Sequence, residues 1–207
     1  MGRFLLVHGA WHGGWCFEPL QRELEARGHV VEAPDLPCDE VGVTQLDYAR
    51  SLGAHPEAVV VGHSLAGLTI PFVEARTRVY LAALLPVERL WEQCFADGFG
   101  GTARDDFGRS YWPDPETAHE KLYADCTRAQ SDAAFARLRP QAPIEPIVQP
   151  AGHGDVVIAT LRDAVIDPGW QQRAGAARTG RVLTIDAGHS PFFTHPVELA
   201  DLLESVA

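Results

Sequence analysis

Short runs of apolar, often β-branched residues recur along the chain, separated by longer stretches in which apolar positions return every three or four residues. The short runs read as strands buried on both faces and the longer stretches as helices laid against them, the rhythm of βα units feeding a parallel sheet. Six runs qualify: RFLLV (3–7), HVVEA (29–33), EAVVVG (57–62), RVYLAALL (78–85), DVVIATL (155–161) and RVLTI (181–185). Between them the pattern predicts a helix over 15–27, closed by Gly28 as a left-handed cap, and another over 45–53, opened by Thr44 with Asp47 three residues on. A third helix is expected just after Ser64, kinked at Pro71, where a backbone donor is missing.

The rhythm breaks over residues 86–152. This stretch holds Trp91, Phe95, Phe99, Phe107, Tyr111 and Trp112, two helical patterns at 114–124 and 128–138, and then the proline-punctuated RPQAPIEPIVQP. Asp114 before Pro115 is a good N-cap and first-turn pair. The expected fold class is therefore α/β: a mostly parallel sheet of six strands flanked by helices. Residues 1–85 and 153–207 form its core, and 86–152 a helical cap inserted after the fourth strand. A separate small domain is the alternative for the insert, although so short a segment would have a thin core.

Composition narrows the function classes. With 207 residues, 46% of them hydrophobic, the chain can bury the core of one domain. Seventeen basic against 28 acidic residues leave a net charge of -11, which argues against nucleic acid and anionic membranes as partners. Cys16, Cys38, Cys94 and Cys126 are widely spaced, so neither a disulfide framework nor a zinc cluster is indicated and a reducing compartment fits. The sequence shows no signal-peptide pattern and no apolar run long enough for a membrane span, so a cytoplasmic protein is expected. No dinucleotide fingerprint, P-loop or metal motif occurs, so no cofactor is expected.

The chemistry concentrates around EAVVVGHSLAGL (57–68), where a strand pattern runs into a turn that sets Ser64 between Gly62 and Ala66. A sharp strand-to-turn junction holds a serine proud of a sheet, and the residues two before and two after it must be small because they crowd one another. The pattern is G-x-S-x-A rather than G-x-S-x-G, a departure of one methyl group. Backbone N–H groups just after the serine can receive a developing oxyanion, which makes Leu65 one candidate donor. The loop VHGAWHGGW after the first strand offers a second, Ala10.

A serine hydroxyl needs a base. TIDAGHSPFF places His189 just after the last strand. His8 and His12 have a four-residue spacing but lie in a loop without the glutamate of a helical zinc motif, so they and His63 read as packing or loop hydrogen-bonding residues. His29, His55, His119, His153 and His195 lack a comparable context. The acid should follow the preceding strand, where DVVIATLRDAVIDPGW offers Asp163 and Asp167. Asp167 precedes Pro168 and reads as a helix N-cap, leaving Asp163, with Asp186 as a rival.

Together, VHGAWHGGW, VGHSLAGL, the TLRD segment and DAGHSPFF resemble the α/β-hydrolase superfamily, in particular its branch of plant methyl esterases, hydroxynitrile lyases and bacterial esterase-like proteins. The resemblance covers nearly the whole chain, and LYADCTRAQSDAAFARLRP is similar to that branch's cap helices. It implies an α/β-hydrolase fold lacking the first two strands, a triad of Ser64, Asp163 and His189, and oxyanion donors at Ala10 and Leu65. The lyase pattern has a threonine where Gly9 stands and a lysine where Ser190 stands, so cyanohydrin cleavage is not expected. The implied activity is hydrolysis of a small carboxylic ester. A ligand receptor with a slow triad and a lyase-like enzyme are the competing readings. Trp11, Leu65, Trp91, Phe95, Tyr111 and Trp112 are the candidates for an apolar substrate pocket.

Overall fold

The computed structural model describes residues 1–87, 94–149, 152 and 154–207, so the candidate pocket residue Trp91 lies outside the described residues, as does His153. The chain begins with β1 (Arg3–Val7), a 3-10 turn (Gly14–Phe17), α1 (Glu18–Ala26), β2 (Val30–Glu32), α2 (Gln45–Leu52) and β3 (His55–His63). Two short 3-10 segments (Ser64–Leu68 and Ile70–Phe72) lead into β4 (Ala75–Leu81). The insert carries a two-stranded hairpin, β5 (Ala103–Arg104) with β6 (Ser110–Tyr111), then α3 (Pro115–Leu122) and α4 (Arg128–Phe135). The chain closes with β7 (Val156–Thr160), α5 (Pro168–Thr179), β8 (Val182–Ile185), α6 (Pro191–Thr194) and α7 (Pro196–Glu204).

Six strands form one parallel sheet in the order β2-β1-β3-β4-β7-β8. The order reverses at β1 and β3, and in such sheets the crevice beyond the carboxyl ends of the two strands is where ligands bind. Ser64 follows β3 and Ala10 follows β1, so both stand at that crevice.

Local signals hold where they are self-contained. Thr44 and Asp47 form a reciprocal capping box on α2, Asp114 caps α3, Asp167 caps α5, and Gly28 takes a left-handed φ of 85° after α1. The helix expected after Ser64 is corrected to 3-10 turns. Residues 65–74 must both leave the serine and return to β4, and Pro71 lacks the N–H that an α-helix would need there. The fourth strand also stops earlier than the apolar run suggests, because Ala82 turns the chain with φ 46°.

Alternate strand residues feed two hydrophobic clusters. Phe4, Leu6, Val59, Val61, Val79 and Ile158 pack against Leu20 and Leu24 of α1, Phe192 of α6, and Leu199 and Leu203 of α7. On the other face Leu5, Val7, Val60, Tyr80 and Val157 pack against Tyr48 and Leu52 of α2 and Trp170 of α5. Ala118, Leu122, Tyr123 and Ala134 of the insert join this second cluster, so the insert and the sheet share buried apolar surface. Among the described residues, no helix is long and apolar enough to cross a membrane.

Candidate active site

Four loops at the carboxyl ends of β1, β3, β7 and β8 supply the site. Ser64 has φ 53°, a left-handed conformation that costs a non-glycine residue about 1–3 kcal/mol and survives only where its surroundings impose it. They do so closely. A Cβ on Gly62 would meet Ala66 O at 3.0 Å and Ile70 Cγ2 at 2.8 Å, and one on Gly9 would meet Ser64 Cβ at 2.7 Å. The carbonyl of Ser64 accepts from the Leu84 N–H at 3.0 Å, tying the turn to the chain beyond β4. Trp11 (φ 64°), beyond β1, and Ala82 (φ 46°), directly after β4, are the other described non-glycine residues at positive φ.

The structure brings together the three side chains that the sequence singled out. His189 Nδ1 lies 3.0 and 2.9 Å from the two carboxylate oxygens of Asp163, and its Nε2 lies 3.1 Å from Ser64 Oγ. A carboxylate only accepts, so Nδ1 carries the proton and Nε2 faces the serine with a lone pair, the tautomer a base requires. All three are buried, with Ser64 6%, Asp163 5% and His189 1% exposed. Asp186 instead pairs with Arg162 on the surface at 2.9 Å, and Asp167 caps α5.

Two residues that the sequence did not reveal brace the acid. Thr160 Oγ1 donates to Asp163 Oδ2 at 2.8 Å and Gln171 Nε2 donates to the same oxygen at 2.9 Å. Oδ1 accepts from the Val165 and Ile166 N–H groups at 2.8 and 3.0 Å. Donors of this kind leave neither oxygen of the buried carboxylate without a partner and fix its orientation. Gln171 is itself fixed, because its Oε1 accepts from the Thr160 N–H.

His8, His12 and His63 surround the site without forming a metal centre. His8 Nδ1 donates to Gly9 O and its Nε2 accepts from the Leu36 N–H. His12 Nδ1 donates to Ala10 O, and its Nε2 accepts from Tyr123 Oη at 2.8 Å. His63 Nε2 donates to the carbonyl of His189 at 2.9 Å. Burial holds all three neutral, pushing His8 down to about 4, His12 down to about 3, and His63 well below the ordinary histidine range. Among the described residues no three His, Cys, Asp or Glu side chains converge as a metal site.

Ser64 opens into a cavity of about 360 Å³ that Ala10, Trp11, Leu65 and Phe95 also line. Two pocket assignments are corrected. β6 turns Ser110 toward the cavity, so by strand alternation Tyr111 faces away into a surface recess with Phe135 and Leu138. Trp112 is buried beside that recess, edge-on to Trp11 with ring centroids 5.4 Å apart. The walls come instead from Leu84, Phe99, Ile144, Val165 and Ile166, drawn from four separate segments. Arg104 and Glu145, both exposed, are the charged residues of the lining.

Known proteins resemble this chain in sequence and fold. Residues 4–202 match the model of the alpha/beta hydrolase family. Methylesterase 3 of Arabidopsis thaliana is 25% identical over 98% of this chain and 95% of its own, and salicylic acid-binding protein 2 of Nicotiana tabacum is 28% identical over 67% of each. The crystal structure of a methylesterase from Arabidopsis superposes with a TM-score of 0.73 at 25% identity, covering 100% of this chain and 99% of that one. Such relatives support ester hydrolysis as the general class of activity. The chain belongs to the alpha/beta hydrolase family, and among its members it is similar to the methylesterases.

Proposed function

We propose that the protein is a serine esterase that cleaves a small carboxylic ester through an acyl-enzyme. Ser64 Oγ attacks the ester carbonyl as His189 Nε2 takes its proton, and the oxyanion accepts from the Ala10 and Leu65 N–H groups. Collapse of this intermediate breaks the bond to the alcohol, which leaves with the proton from His189. Water, deprotonated by the same imidazole, then attacks the acyl group, releasing the acid and restoring Ser64. Asp163 keeps the imidazole in its working tautomer and balances its transient positive charge.

The observation that carries this reading is the continuous relay from Asp163 through His189 to Ser64, ending at the wall of an apolar cavity. Leu65 is the second residue of a 3-10 segment, so its N–H has no acceptor within that segment, and Ala10 lines the cavity beside Ser64. The mainly apolar walls and one lining charge of each sign favour an uncharged, apolar acyl group. In this reading residues 86–152 act as the cap over the cavity. The four cysteines are unpaired thiols, which supports a reducing location such as the cytoplasm.

Hydrolysis of p-nitrophenyl acetate by the wild type and by Ser64→Ala tests the proposal. Ser64→Ala should lower kcat/KM by at least about 10⁴-fold, since members of such a relay act as a unit. Equal rates in the two proteins would overturn it.

A further inference from the structure

The insert reaches back to the site through three consecutive residues after α3. Tyr123 Oη donates to His12 Nε2 at 2.8 Å, and His12 Nδ1 in turn donates to the carbonyl of Ala10, also at 2.8 Å. Two residues on, Asp125 Oδ2 accepts from the Gly188 N–H at 2.7 Å and from Thr194 Oγ1 at 3.1 Å. Gly188 immediately precedes His189, and a Cβ on it would meet Asp125 Oδ1 at 2.6 Å, so the carboxylate rests directly on the backbone. That Oδ1 is buried without a hydrogen-bond partner. An unpaired buried carboxylate oxygen is costly, and α3 could end over the sheet without one.

We propose that Tyr123 and Asp125 are positioning residues that clamp the oxyanion loop and the base loop from the cap, making the alignment of the site depend on a docked cap. The inference rests on the hydrolytic reading for its kinetic consequences only. Tyr123 fixes the Ala10 peptide by locking the His12 tautomer. Asp125 fixes the peptide entering His189. Burial pushes the Tyr123 phenol well above its ordinary range, so it remains a protonated donor. The clamp touches no atom of a substrate bound against Ser64 and should therefore act on kcat rather than KM. A misplacement of about 1 Å in such a site can cost on the order of 100-fold in rate.

The test compares Asp125→Ala, Asp125→Asn and Tyr123→Phe in the full chain. Steady-state hydrolysis of p-nitrophenyl acetate is paired with hydrogen exchange at the Gly188 amide, which needs no substrate. Asp125→Ala should lower kcat by about 10- to 100-fold with KM within about threefold, and should lose at least about tenfold of the Gly188 protection. Asp125→Asn keeps an acceptor oxygen and should restore both. Tyr123→Phe should lower kcat by about tenfold while leaving Gly188 protected. Unchanged kcat and protection in Asp125→Ala, or Asp125→Asn as impaired as Asp125→Ala, would overturn the clamp. Should Asp125→Ala fail to fold, Tyr123→Phe decides, and an unchanged kcat overturns the proposal. If the wild type shows no Ser64-dependent turnover, the hydrolytic reading fails alone and the exchange measurement still decides the clamp.

Discussion

His63 donates a hydrogen bond from Nε2 to the backbone carbonyl of His189 at 2.9 Å, joining the serine turn to the base loop one residue away from the Ser64–His189 contact. The two rings also lie against each other, with centroids 4.8 Å apart. His63→Leu would leave the His189 carbonyl buried without this donor, at about 1–3 kcal/mol of stability. It should also lower kcat by about tenfold through a looser base loop. Chemical denaturation and steady-state kinetics check both effects, and a variant with native kcat would mean the tie does not position His189.

Gln171→Leu removes one buried donor from Asp163 and an acceptor from the Thr160 N–H while roughly preserving side-chain volume. The expected loss is about 1–3 kcal/mol, with kcat reduced and KM little changed. Gln171→Glu should be worse than Gln171→Leu in kcat, because it sets a second carboxyl against Asp163. Kinetics of the two variants provide the comparison.

Neither Gln171 nor Thr160 was legible in the sequence, and the reason is physical. Their roles depend on side chains meeting beneath a loop, and neither periodicity nor turn chemistry records such meetings. Ser64, His189 and Asp163 were legible because each sits where a strand pattern ends in a turn, so topology alone carries them to one rim. The strands and the caps at Thr44, Asp114 and Asp167 were readable for the same reason: their signals lie within a few residues. The helix after Ser64 misled because its apolar spacing says nothing of how soon the chain must rejoin the sheet. Tyr111 and Trp112 misled because aromatic character does not reveal which side of a short hairpin faces the cavity.

The buried histidines make stability pH-dependent in a defined direction. His8 and His12 are depressed to about 4 and about 3, against about 6.5 in the unfolded chain, so between these values the unfolded state binds more protons. Their contribution is fully present above about pH 6.5 and is lost as pH falls toward the folded values, by about 2 kcal/mol for each histidine at pH 5. His63 adds a loss of the same sign. Urea denaturation at pH 7.5, 6 and 5 should show this fall, and His12→Gln should flatten it. A flat profile would contradict the neutral, buried assignment.

Gly9→Ala places a methyl carbon 2.7 Å from Ser64 Cβ and close to His63 O. The serine turn must shift to admit it. Activity should fall by about 10- to 100-fold and the thermal midpoint by several degrees, because the buried atoms around the new methyl group have no flexible end to give way. Activity and melting curves of the variant measure the two separately.

The proposed hydrolysis requires that His189 make the Ser64 hydroxyl a nucleophile at the cavity wall. Covalent labelling with a fluorophosphonate, followed by mass mapping of the modified peptide, tests it most directly. One tag is expected, on Ser64, with labelling largely lost in His189→Ala. A tag on any other residue, or equally fast labelling without His189, would contradict it.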